Sequence, residues 1–189
     1  MRLILRELNT NDEVAFLRGV QAWPPADRAW HSFEWTEDGN FTKHLEILEN
    51  NRLGKGIPDG WVPSTMLYGF VAEEIIGRLH VRHRLTPSLE IRGGHIGYAV
   101  APPYRRKGYA CEMLRQALPL CESLGLNNIL ITCDEENVGS HRVIEKNGGV
   151  LKDKVFDDVD QLMIRKYLLD AGASRYSGQA VTQVRRCKH

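Results

Sequence analysis

GYAVAPPYRRKGYACEML, Gly97 to Leu114, is the stretch on which the fold turns. It opens as a strand, passes a Pro-Pro pair and the cations Arg105, Arg106 and Lys107, and enters an apolar-periodic run through Gly108 and Ala110. Crowding cations at a helix start runs against the helix dipole, which favours anions there. The conflict is resolved if an anion belongs in the turn. A strand, a tight turn and a Gly-x-Ala entry direct several backbone N–H groups at one point. Gly108 lets a ligand approach the backbone, Ala110 is small enough to keep the helix start close to it, and the cations supply charge for a diphosphate. There is no GxxxxGK[ST] and no GxGxxG after a strand, so neither common nucleotide-binding loop is supported.

Downstream, Met113, Leu114, Ala117, Leu118, Cys121 and Leu124 recur at three and four residues, which predicts an amphipathic helix stopped by Gly125. Pro119 inside it predicts a kink or a local break. NNILITC reads as a buried strand, DEEN as a connector, Gly139 to Lys146 as a short helix, and Val150–Val155 and Gln161–Leu168 as two further strands. The strand, helix, strand order around Gly125 implies a right-handed parallel crossover. Upstream, the first residues suit a strand, and Thr10 with Glu13 forms a Thr-x-x-Glu capping box before a helix. Trp23 to Gly60 is irregular and aromatic, with one helix near Phe41 to Asn51. STMLYGFVA and IIGRLHVRHRL form a hairpin, TPSLEIRGG a turn-rich connector, and GHIGYAV a strand. The expected fold is α/β (α+β): a mixed, mostly antiparallel sheet of six to seven strands flanked by helices in one domain over 1–170. Residues 171–189 are expected to be a mobile or partner-docked tail.

The chain has 189 residues, 42% hydrophobic and 26% charged, enough to bury one core. A net charge of +1 and a pI near 7.7 give no global basic field, so nucleic acid is not an expected partner. Cys111, Cys121, Cys133 and Cys187 show no metal spacing and read as reduced thiols. Neither a signal peptide nor a membrane span is visible, and a cytoplasmic protein is expected. His80 and His83 alternate to opposite faces of their strand and cannot share a metal. No metal site is expected.

These residues and their order resemble the GNAT superfamily of acyl-CoA-dependent N-acyltransferases. Arg105, Gly108 and Ala110 fall on the three fixed positions of its Arg/Gln-x-x-Gly-x-Gly/Ala turn; Val100 and Pro102 precede it, and Asn137, Ser140 and VIEKNGG follow. HVRHRL, GGHIGY and ITCDEEN look most like a bacterial branch of acetyltransferases of unassigned substrate, with a more distant likeness to Rim-type protein N-terminal acetyltransferases. The resemblance implies a sheet splayed between residues 95–100 and 128–133. It implies acetyl-CoA as cofactor, held by Val100, Ala101, Arg105, Arg106, Lys107, Gly108, Tyr109, Ala110, Asn137 and Ser140. It implies direct attack by a primary amine, small or peptidic, in a ternary complex, and relatives are often dimers. His95 stands where many relatives carry a glutamate base, and its ordinary pKa near 6.5 suits the task; Glu90 and Asp134 are reserves. The Val100 N–H would hold the thioester carbonyl. Ile144 replaces the usual tyrosine acid, which leaves Ser140, with Cys133 and solvent as competitors. Glu34, Trp35, Glu37 and Asp38, with Glu90, are candidates around the acceptor. Loss of the tyrosine also motivates another reading, a CoA-binding sensor without transfer.

Overall fold

The β-rich runs STMLYGFV and EIIGRLHVR form β2 (Ser64–Val71) and β3 (Glu74–Arg82), buried along nearly their whole length and paired antiparallel with Leu67 opposite Leu79. In this computed structural model, which describes residues 2–33, 35 and 39–173, β1 (Leu3–Arg6) adds to one side of the hairpin and β4 (Ile96–Val100) to the other. A second sheet holds β5 (Asn128–Asp134), β7 (Leu162–Asp170) and β6 (Val150–Asp157) in that order, again antiparallel. The helices are α1 (Glu13–Ala22), α2 (Arg28–Ser32), α3 (Phe41–Leu53), α4 (Pro87–Ile91), α5 (Tyr109–Ser123) and α6 (Val138–Lys146).

The single central sheet expected from the sequence is therefore two, divided at the expected place. They are stitched where β4 begins: His95 N–H donates to Leu130 O at 2.7 Å, and Gly93 N–H to Thr132 Oγ1 at 2.8 Å. Gly94 permits the approach, since a Cβ there would stand 2.5 Å from Leu130 O. Past this junction β4 and β5 part.

Both faces of the hairpin are covered. Leu79, Val81 and Ile96 face α5, whose Met113, Leu114, Ala117 and Leu118 pack with Ile129, Ile131, Ile144 and Tyr167 in the main core. The opposite face of β2 carries Met66, Tyr68 and Phe70 under Phe16 of α1 and Phe41 of α3. Several expectations need correction. Helix α5 continues through Pro119 without a break. Packing of both flanking turns into the core outweighs the one lost hydrogen bond. The capping box lies one residue earlier, with Asn9 N–H bonded to Asp12 and Asn11 N–H to Asn9. The connector TPSLEIRGG contains α4, started by Thr86, whose Oγ1 accepts from Leu89 N–H. Ala171, assigned to the tail, is 4% exposed within the core, and residues 174–189, including Cys187, lie outside the described residues. Among the described residues, no helix is long and apolar enough to cross a membrane.

Candidate active site

The parting of β4 and β5 opens a cleft of ≈ 1090 Å³, walled by the end of β4, the turn into α5 and the first turns of α6. Two ladder bonds fix which β4 amides face it. Arg82 N–H donates to His95 O and Ala101 N–H to Ile76 O. Alternation then turns the N–H and C=O of Tyr98 and Val100 away from β3, toward the cleft.

The turn into α5 is built for an anion. Arg106 has φ 62° and Gly108 φ 83°, so the backbone curls with its N–H groups inward. Gly108 caps α5 with no side-chain hydrogen bond, leaving the first N–H groups of a 15-residue helix for a ligand. A Cβ on Gly108 would meet nothing within 4 Å, so the space beside it is open. Arg106 on the turn and Arg142 and Lys146 on α6 add three cations to the lining. This donor set fits a diphosphate with a further phosphate nearby.

Of the expected cofactor residues, Val100, Arg105, Arg106, Gly108, Tyr109, Ala110, Asn137 and Ser140 line the cleft. Two do not. Ala101 is buried with its amide spent on β3, and the Lys107 ammonium lies 5.6 Å from the Tyr104 ring centre. Arg105 reaches the cleft with its guanidinium largely engaged: Nε donates to Val100 O at 2.9 Å, and Nη2 approaches Asp27 at 3.4 Å. It braces the turn more than it offers charge. Asn137 caps α6, its Oδ1 accepting from Ser140 N–H at 3.0 Å.

His95 is not placed as a base. It is absent from the cleft lining, and its Nδ1 accepts from Leu130 N–H at 2.9 Å. The neutral ring's proton is therefore on Nε2, and the basic lone pair is occupied. Burial also lowers its pKa. Glu90 is exposed on α4, away from the cleft lining, and Asp134 is paired with Arg92. Trp35 packs edge-on against Phe16 and His44 as cover for the second core. Glu34, Glu37 and Asp38 lie outside the described residues. Cys133 is buried, which pushes its thiol up to about 11.

Sequence reasoning missed Tyr98. Its hydroxyl lies 2.8 Å from Ser140 Oγ inside the cleft, and burial raises its pKa, so it keeps its proton. Ile144, at the usual tyrosine position, is fully buried in the main core. Arg142 and Lys146 were also missed; their four-residue spacing on α6, opposite the buried His141 and Ile144, was the available signal. Among the described residues no cluster could hold a metal.

Fold and cleft together define a protein that takes a diphosphate-bearing ligand between a parted pair of strands. The family model of the acetyltransferase (GNAT) domain matches residues 2–150, and the chain belongs to that family. The matched domain is that of an acetyltransferase. The uncharacterized N-acetyltransferase YnaD of Bacillus subtilis (strain 168) is 39% identical over 54 residues, 28% of this chain and 32% of that protein. The match thus spans about a third of that relative. The ribosomal-protein-S5-alanine acetyltransferase from Vibrio fischeri superposes with a TM-score of 0.66 at 14% identity, covering 90% of this chain and 94% of that one. A spermidine N-acetyltransferase SpeG chimera from Vibrio cholerae and hSSAT gives 0.59 at 17%, covering 93% and 99%. The yncA structure from Salmonella typhimurium with its cofactor acetyl-CoA gives 0.58 at 13%, covering 89% and 94%. At such identities the likeness carries the fold.

Proposed function

We propose that the chain acetylates a primary amine by direct attack within a ternary complex. The observation that carries this reading is the cleft itself, where outward-facing β4 amides meet the uncapped start of α5. When bound, acetyl-CoA supplies an acetyl thioester whose C–S bond gives way to the amide C–N bond, the nitrogen's proton passing on balance to sulfur. The curled turn and α5 hold the diphosphate; Arg142 and Lys146 attract the remaining phosphate. The Val100 N–H, turned to the cleft, is the donor for the thioester carbonyl. Tyr98 Oη, kept protonated by burial and paired with Ser140, holds a proton at the cleft wall for the departing sulfur. Water in the open cleft receives the amine's proton in place of His95.

A sensor that binds CoA without transfer is favoured by the burial of Ile144; the Tyr98–Ser140 hydroxyl pair favours turnover. Calorimetry with acetyl-CoA tests the common step: binding is expected, and none at near-millimolar ligand would end both readings. Gly108→Asp, placing a carboxylate on the anion turn and a side chain at φ 83°, should weaken that binding at least ~100-fold. Thiol release with a broad amine panel then separates enzyme from sensor.

A further inference from the structure

The face of β3 and β4 turned away from α5 carries a row of groups that cleft chemistry does not use. Leu79 and Val81 enter the core, so His80 and Arg82 project the other way. Across the ladder, Arg82 stands opposite His95 and His80 opposite Gly97, so these four positions share one face.

Among the described residues Arg82 has no counter-ion. Its Nη1 donates to the carbonyls of Gly93 and Gly94 at 3.1 Å each, and no carboxylate among the described residues pairs with it. Arg6, Arg92 and Arg165, also half-buried, each close on a carboxylate. Burial alone lowers the Arg82 pKa, with no carboxylate offsetting it. A partly desolvated cation without an anion is unfavourable unless a ligand supplies one. Beside it the strand is open among the described residues. A Cβ on Gly97 would meet one atom within 4 Å, Arg82 Nη1 at 3.8 Å. His95 adds a donor, because the Leu130 amide on Nδ1 fixes the proton on Nε2. Farther along, Phe33 packs on His80 at 5.1 Å and on the 40% exposed Trp61 at 5.7 Å, forming an apolar border.

We propose that the acceptor is an α-amino acid with an apolar side chain, its carboxylate held over Gly97 by the Arg82 guanidinium and the His95 Nε2–H. The planar fork of a guanidinium matches a carboxylate in two contacts, which selects amines with an adjacent carboxylate over polyamines. This rests on the amine-acetylation reading and narrows it.

The test uses the full chain with acetyl-CoA and three probes of one shape: L-phenylalanine, L-phenylalaninamide and phenethylamine, followed by thiol release. L-Phenylalanine should exceed the other two in kcat/KM by at least ~10-fold, and Arg82→Lys and Arg82→Gln should each remove about 10- to 100-fold from L-phenylalanine. The same variants should leave turnover of the two carboxylate-free amines and acetyl-CoA affinity unchanged. A merely structural clamp on Gly93 and Gly94 would lower all three together. 3-Phenylpropionate, a carboxylate without an amine, should compete with L-phenylalanine in the parent chain and lose that competition in Arg82→Lys. Equal turnover with and without the carboxylate, or a carboxylate preference that survives both variants, overturns the proposal. If acetyl-CoA binds but no amine is turned over, amine acetylation fails separately. Calorimetry of L-phenylalanine against phenylalaninamide on the CoA-loaded chain then decides this site, and equal or absent binding refutes it.

Discussion

Acidification should loosen the layer formed by α1, α2 and α3. His31 is 0% and His44 2% exposed, and both rings lie against Phe16, at 5.3 and 4.8 Å between centres. His31 Nε2 donates to Phe16 O at 3.2 Å and its Nδ1 has no partner; neither nitrogen of His44 has one. Burial brings both pKa values down to about 4, with the neighbouring Arg78 guanidinium contributing at His31. Both rings are therefore neutral in the folded chain at neutral pH, against an unfolded value near 6.5. Between pH 6.5 and 4 the unfolded chain binds more protons, so stability falls as pH falls and is fully restored above the unfolded value. At pH 4.5 each histidine should cost about 2.5 kcal/mol, and the two together about 5 kcal/mol. Carboxylates such as Asp12, held below their ordinary range by Arg6, also lose stability in acid, so total loss is not diagnostic. The comparison with His44→Leu is. Urea unfolding followed by tryptophan fluorescence at pH 7 and 4.5 should show the variant at least as stable as the parent at pH 7, since His44 makes no hydrogen bond to lose. Its loss on acidification should be smaller by about 2.5 kcal/mol. The same loss in both chains, within ~0.5 kcal/mol, would refute the reasoning.

Gly94→Ala should open the sheet junction, because the new Cβ would stand 2.5 Å from Leu130 O at φ 59°. A cost of about 2–3 kcal/mol corresponds to roughly 5–10 °C in Tm for a chain of this length, read by calorimetric melting. Tyr98→Phe should leave acetyl-CoA affinity intact while lowering kcat by about 10- to 100-fold with the best amine found; unchanged kcat would remove the hydroxyl from the reaction.

What the sequence reveals here depends on how local the cause is. The anion turn was legible because Gly108, Ala110 and the flanking Val100 and Pro102 act within twenty residues of chain. The β2–β3 hairpin was legible as two long β-rich runs, and α5 because its apolar period is long. Helix α4 was not, since five residues cannot show a period. His95 illustrates the harder case. Its residue type and place in HIGY fit a base, but its tautomer is decided by the Leu130 amide, 35 positions away. Tyr98 reads in the sequence as one more strand aromatic; only its meeting with Ser140, 42 positions on, makes it a proton holder. Arg82 drew no notice in the sequence, because its bonds to the Gly93 and Gly94 carbonyls and its burial arise only from the fold.

The order β5-β7-β6 places the last strand among the described residues in the middle of its sheet. During synthesis, β5, Asn137 and the start of α6 leave the ribosome with β5 held only by its short stitch to the start of β4, and β6 arrives with no partner strand. Only when Leu162 to Asp170 slots between them does the wall opposite β4 become rigid. Cofactor affinity should therefore appear late and abruptly as the nascent chain lengthens, with the final strand as its keystone.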